Sequence, residues 1–283
     1  MNRNAEDVRR DVSRSYGQAM SRPESGGCCG PAESSARKQL AIELAGYSEQ
    51  ELSDLPKDAA DNILGCGNPV SFSGMRPGDV VLDLGAGAGT DLFLAAKKVG
   101  STGRVIGVDM TDEMIARANE NIKSSGLSNV EVRKGIIEAL PVESASVDWV
   151  ISNCVINLSP EKDKVFKEIA RVLKPGGQML VSDIVTDDLP EEILNDRSLY
   201  SACVAGAIRE DQYIAGLKSA GLRDVEVRGR FVFDRAQIRS ALKVATDELR
   251  LDNSWTDRSE ELTKAVGGKV WSAKVYARKP ELQ

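Results

Sequence analysis

Five cysteines and no histidine set the chemistry open to this 283-residue chain. Without an imidazole there is no His general base, no Ser–His or Cys–His nucleophile pair and no His-ligated metal site. Carboxylates, thiols, amines, hydroxyls or a bound cofactor must do the work. The thiols are Cys28, Cys29, Cys66, Cys154 and Cys203. Their number is odd and no CxxC spacing occurs, which argues against a disulfide framework and against a paired-ligand zinc knuckle. Cys66 stands between glycines in LGCGNP, Cys154 ends the apolar run VDWVISNC, and Cys203 lies in SACVAGA. Taken singly, Cys154 and Cys203 read more readily as small buried apolar residues than as ligands, and Cys28-Cys29 can be an incidental pair on a Gly/Pro/Ser-rich arm.

A second candidate is the glycine loop GAGAG at 85–89, between a run that reads as a strand and one that reads as a helix. Glycines there admit close backbone approach, and the N–H groups of a helix start face whatever is bound. The fingerprint of a dinucleotide site needs Gly or Ala at position 90, where this chain has Thr90, so a ligand without a pyrophosphate is expected and an NAD-linked enzyme disfavoured. Asp109 follows Gly85 by 24 residues at the end of the next strand, where a carboxylate accepts hydrogen bonds from both ribose hydroxyls. The bland alternatives are a tight turn and a helix-capping aspartate.

These residues need a scaffold. Runs at 79–85, 104–110, 130–135, 147–158 and 178–185 read as buried parallel strands. Helices are expected between them, at 92–100, at 111–126 capped by Thr111, and from Ser159-Pro160 with a buried stripe of Val165, Phe166, Ile169 and Leu173. KPGG at 174–177 reads as a turn. Alternation over more than 100 residues implies an α/β fold with a parallel sheet. Before it, 5–20 reads as a short polar helix, 21–35 as a loop, and 36–64 as helical, with Tyr47, Leu52 and Leu55 facing a core. After it come helices around Cys203 and Tyr213, a strand at 224–233, a charged helical stretch at 235–266 and a late strand at 271–279. The expected division is an N-terminal arm with cysteine loops at 1–70, a cofactor-binding domain at 71–230 and a C-terminal region at 231–283. A net charge of −6 and the absence of a basic cluster disfavour nucleic acid as a partner. No apolar run suits a membrane span and no secretory leader is visible, so a cytoplasmic location is expected.

At VVLDLGAGAGTD (80–91), VIGVDM and LKPGGQMLVSDIV (173–185) the chain resembles the class I S-adenosylmethionine-dependent methyltransferases. The resemblance implies a Rossmann-like α/β sheet flanked by helices, with an N-terminal arm and a smaller C-terminal region. It implies that Gly85, Gly87 and Gly89 line the methionine and ribose of S-adenosylmethionine and that Asp109 holds the ribose. GIIEALP (135–141) would flank the adenine. Many members carry Asp where this chain has Ile136, which leaves Ile137 and Glu138 as the adenine contacts. Asp83 is a candidate for favouring the sulfonium, with a turn hydrogen bond as its alternative role. Met110 and Asn153 complete the expected cofactor-binding set.

A methyl acceptor on oxygen or nitrogen often needs a base, commonly His, which is absent, or a carboxylate, for which no paired-acid motif stands out. One that carries a lone pair and no proton needs none, and a soft trivalent centre held by thiolates is of that kind. Three thiols from three segments could converge above the cofactor, with Cys154 at the strand end where ligands bind in open α/β sheets. GGCCGP (26–31), LGCGNP (64–69), ISNCVINLSP (151–160) and SACVAGA (201–207) together resemble the arsenite methyltransferase family. The resemblance implies that Cys66, Cys154 and Cys203 bind trivalent arsenic, and that Cys28 or Cys29 serves in thiol exchange, delivery or reduction. It also implies that the arm, with Tyr16, folds over the cofactor. Some members have an acidic residue just before the last cysteine; this chain has Ala202. Arsenite would arrive as a thiol conjugate, with glutathione, thioredoxin or another external thiol as reductant. The rival readings are a methyltransferase for an organic small molecule and a non-catalytic metalloid-binding protein.

Overall fold

The structure, a computed structural model, describes residues 4–20, 45–63, 65–249 and 259–281. The helices are α1 (Ala5–Met20), α2 (Glu49–Ser53), α3 (Lys57–Asp61), α4 (Thr90–Val99), α5 (Asp112–Ser125), α6 (Lys162–Val172), α7 (Glu191–Leu194), α8 (Arg197–Ser201), α9 (Glu210–Ser219), α10 (Arg235–Leu249) and α11 (Ser259–Val266). The strands are β1 (Val80–Leu84), β2 (Arg104–Asp109), β3 (Val130–Lys134), β4 (Val147–Asn153), β5 (Leu173–Thr186), β6 (Ile208–Arg209), β7 (Arg223–Val232) and β8 (Val270–Arg278). Among the described residues they form one sheet in the order β3-β2-β1-β4-β5-β8-β7, with β6 paired to the end of β5.

β1 to β5 run parallel, as their unbroken apolar runs require: strands covered by helices on both faces have no polar side to show. Val81 and Leu82 illustrate the pleat, one packing with Phe93 and Val99 of α4, the next with Phe166 and Ile169 of α6. The rings of Phe166 and Tyr213 lie 5.1 Å apart and join α6 to α9 in that second layer. The late strand finds its place by antiparallel pairing: β8 inserts between β5 and β7.

Several local expectations shift. The stretch at 36–64 is described only from residue 45, apart from residue 64, and there it is two short helices. Pro56 lacks an N–H and separates them, and Ser48 and Glu51 form a capping box at the first. α6 begins at Lys162, behind an N-cap at Glu161, rather than at Pro160, because a 3-10 turn at Ile156–Leu158 occupies the segment before it. Its buried stripe ends at Val172, and Leu173 already opens β5 by pairing with Val147. KPGG falls inside the range of β5, with Gly176 at a φ of 76° and its N–H donated to Lys279 O. Thr111 stands at the N-cap of α5 without a side-chain cap bond; its hydroxyl bonds Ser13 of α1 instead.

The C-terminal ends of β1, β2 and β4 open on one edge, where α/β sheets bind ligands. No helix among the described residues is long and apolar enough to cross a membrane. Phe166 is fully buried between sheet and α9. Replacing it with Ala is expected to cost about 3–5 kcal/mol, read from urea unfolding of the two proteins.

Candidate active site

The glycine loop is folded by its own backbone. Gly85 and Ala86 both donate to Val108 O, at 2.7 and 3.1 Å, and Gly89 donates to Ala86 O at 2.9 Å. The loop thus leans on β2, and Gly85, Gly87 and Gly89 all take positive φ, of 68°, 53° and 101°. A side chain at Gly85 would also run into Val155. Asp109 ends β2 with one oxygen accepting from Gly87 N–H at 3.0 Å and the other from Thr111 N–H at 2.9 Å. Burial raises its carboxyl above the usual range, and the N–H donors of Thr111, Gly87 and Met110 oppose that rise.

This loop is one wall of a cleft. Asp83, Asp109, Met110, Ile137, Glu138 and Asn153 line it, and α1 covers it with Arg9, Val12 and Tyr16. Glu138 is turned toward that cover: its Oε1 accepts from Arg9 Nε at 3.1 Å and from Ser159 Oγ at 2.6 Å, while Arg9 also pairs with Glu161. Asp83 is 2% exposed and accepts no hydrogen bond from any described residue. Its carboxyl is pushed well up by burial, then by the charges of Asp91 and Asp109.

The cysteines gather at the end of β4. Cys66 and Cys154 are joined as a disulfide, with Cα atoms 5.8 Å apart across 88 residues of sequence. Cys203 Sγ donates to Cys154 O at 2.9 Å. Cys154 lines the cleft; Cys203 is buried behind it, next to the hydroxyl of Tyr16, which donates to Ser201 O at 3.2 Å. Cys28 and Cys29 lie outside the described residues. Two features of this cluster are explained only by the fold. Cys154 and Cys203 both hold positive φ, 62° and 63°, a conformation that costs a non-glycine residue about 1–3 kcal/mol and persists only where its surroundings enforce it. Glycines flank Cys66 because Gly65 abuts the Asn153 amide and Gly67 abuts the Ser182 side chain, so a Cβ fits at neither.

Sequence reasoning also missed the polar residues behind the thiols. Asp183 is buried, accepts from Tyr213 Oη at 3.3 Å and is pushed up to about 7 by burial, against the pull of Lys162. Burial brings Lys162 down to about 8, and it donates to Ser159 O at 2.9 Å. Burial raises the Cys203 thiol, as does the charge of Asp183. Asp91 is pushed up to about 6 by burial while accepting from Tyr47 Oη at 2.9 Å and Asn153 Nδ2 at 3.0 Å. The available signal for Asp183 was a carboxylate inside the otherwise apolar strand LVSDIV.

A family model described as "Methyltransferase domain" matches residues 75–221. Among solved structures the chain is similar to CrArsM, an arsenic(III) S-adenosylmethionine methyltransferase from Chlamydomonas reinhardtii. The TM-score is 0.67 at 34% identity, over 82% of this chain and 73% of that one. It is also 48% identical over 203 residues to the arsenite methyltransferase of Halobacterium salinarum, covering 71% of this chain and 51% of that protein. The chain belongs to the arsenite methyltransferase family. A further member, from Mus musculus, is 32% identical over 73% of this chain and 55% of its own length. The chain spans about half the length of the curated relatives it matches. The sheet is the Rossmann-like sheet of class I methyltransferases, as the motifs of the loop and of β5 implied.

The buried acids of this family member make its stability pH-dependent. The folded Asp183 holds a proton up to about 7 and Asp91 up to about 6, whereas an unfolded Asp releases it near 3.8. Their contribution is full below the unfolded value and is lost as pH rises through those folded values. Urea midpoints measured from about pH 4 to about pH 8 should therefore fall less steeply for Asp183→Asn than for the parent. Equal slopes would show that Asp183 is ionised throughout.

Proposed function

We propose that the chain methylates thiol-bound trivalent arsenic with S-adenosylmethionine as methyl donor. The observation that carries this reading is that cysteine sulfurs from three separate segments meet at the end of β4, on the wall of a cleft built by a glycine loop and a strand-end aspartate. The cleft fits the donor: Asp83 is a buried carboxylate that accepts no hydrogen bond from any described residue, suited to a cation, and the positive-φ glycines leave the room a side chain would fill. Gly85, Gly87 and Gly89 would line the methionine and ribose, Asp109 would take the ribose hydroxyls, Ile137 and Glu138 would flank the adenine, and Met110, Asn153 and Tyr16 would close the walls. When bound, the donor supplies an electrophilic methyl carbon on a sulfonium.

The residues of the chain do the rest by placement. Cys66, Cys154 and Cys203, as thiolates, would take arsenic from a thiol conjugate, each new As–S bond releasing one carrier thiol. Trivalent arsenic keeps a lone pair, so no base is needed and the absence of histidine is no handicap. Holding that lone pair beside the cleft is catalysis by proximity. Alkylation leaves arsenic pentavalent; two thiolates return two electrons to it and become a disulfide. The bonded Cys66–Cys154 pair is the kind of product such a step leaves. An external thiol, glutathione or thioredoxin, would reduce it, with Cys28 or Cys29 as an exchange partner.

Timed speciation of methylated arsenicals, from arsenite, S-adenosylmethionine and added thiol, tests the reading. Cys154→Ser and Cys203→Ser should each lower turnover by about 100-fold or more, since an ill-placed acceptor forfeits proximity. Full activity in both would end the thiolate-site reading. Asp109→Asn should weaken S-adenosylmethionine binding by about tenfold or more in calorimetry, the loss of a charged hydrogen-bond acceptor.

A further inference from the structure

We infer that Asn153 is a positioning residue that sets the Cys66 thiol opposite Cys154, an inference that rests on the proposed role of these cysteines as arsenic ligands. Its amide is shared between the cysteine loop and the wall of the cleft. Oδ1 accepts from the N–H groups of Cys66 at 2.9 Å and Gly67 at 3.1 Å. Nδ2 donates to Gly67 O at 2.6 Å, to Tyr47 Oη at 2.9 Å and to Asp91 Oδ2 at 3.0 Å. Three bonds thus fasten two consecutive loop residues, and two anchor the amide to Tyr47 and Asp91.

The consequence for the thiols is geometric. Asn153 is covalently joined to Cys154, so whatever fixes the 66–67 backbone to Asn153 also fixes the first thiol relative to the second. Gly65 packs against the same amide so closely that a Cβ there would overlap it. Only an amide of this length serves both sides. It must present an acceptor to two N–H groups and a donor to a carbonyl and a carboxylate. An Asp would set its carboxylate against Asp91. Arsenic binding by several thiols gains from their being held together before the first As–S bond forms, and a loop cut loose forfeits that effective concentration.

The test is arsenite binding by the reduced full chain carrying Cys28→Ser and Cys29→Ser, without S-adenosylmethionine. Each As–S bond there forms as one thiol proton and one arsenite hydroxyl leave as water. Equilibrium dialysis gives the affinity, and circular dichroism confirms that each protein is folded. Asn153→Asp should weaken arsenite binding at least about tenfold. The exchanged pair Asp91→Asn with Asn153→Asp restores a donor facing an acceptor at position 91, though not at the Gly67 carbonyl, and should recover part of the loss, a rescue that mere loosening of the fold would not give. Should Asn153→Asp fail to fold, Asn153→Ser carries the test, since its side chain falls short of the loop and should show the same loss. Parent-like affinity in Asn153→Asp or Asn153→Ser overturns the inference, as does an exchanged pair no tighter than Asn153→Asp. A parent that binds no arsenite overturns the ligand reading itself, and the inference with it.

Discussion

At Cys154 the chain leaves β4 in a left-handed turn, and the site is arranged around that departure. The pleat of β4 runs to Asn153; the next residue, at φ 62°, donates its N–H to Ser182 O at 2.8 Å, and a 3-10 turn follows. A non-glycine residue takes this conformation only under constraint. The constraints are visible: β5 holds the Cys154 backbone, Cys203 Sγ bonds the Cys154 carbonyl, and Asn153 grips the loop of Cys66. A strained strand end thereby becomes the point to which two distant segments are tied.

The electrostatics of the neighbouring cleft follow from burial. Asp83, Asp91 and Asp109 crowd one edge of the sheet, and burial raises all three carboxyls. Asp91 and Asp109 receive donors from the chain; Asp83 receives none from any described residue. A site built this way favours a ligand that brings positive charge, because such a ligand supplies compensation that the described residues do not. Opposite, α1 covers the cleft, held by Arg9 on Glu138 and Glu161 and by Tyr16 on Ser201.

The two halves of the proposed chemistry share one short stretch of β4. Asn153 faces the cleft and the cysteine loop at once, while Cys154 lines the cleft and touches Cys203. A methyl donor and a soft acceptor need no more than this adjacency, which suits a chain without histidine.

The sequence by itself determined the parallel sheet, the glycine loop, the acidic end of β2 and the family, because these are written in local patterns: unbroken apolar runs, glycines where φ turns positive, a carboxylate at a strand end. It also named the segments that carry the thiols. Tertiary structure alone decided the rest. The position of β8 between β5 and β7 depends on pairing across about ninety residues, which no local period records. The early end of β4 and the break at Pro56 came from backbone geometry that apolar content overrode in the reading. Asn153 read from sequence as a lining residue. Only the approach of the 65–67 loop reveals it as a tie, because a hydrogen bond across 87 residues has no signature in either segment until the fold brings them within 3 Å.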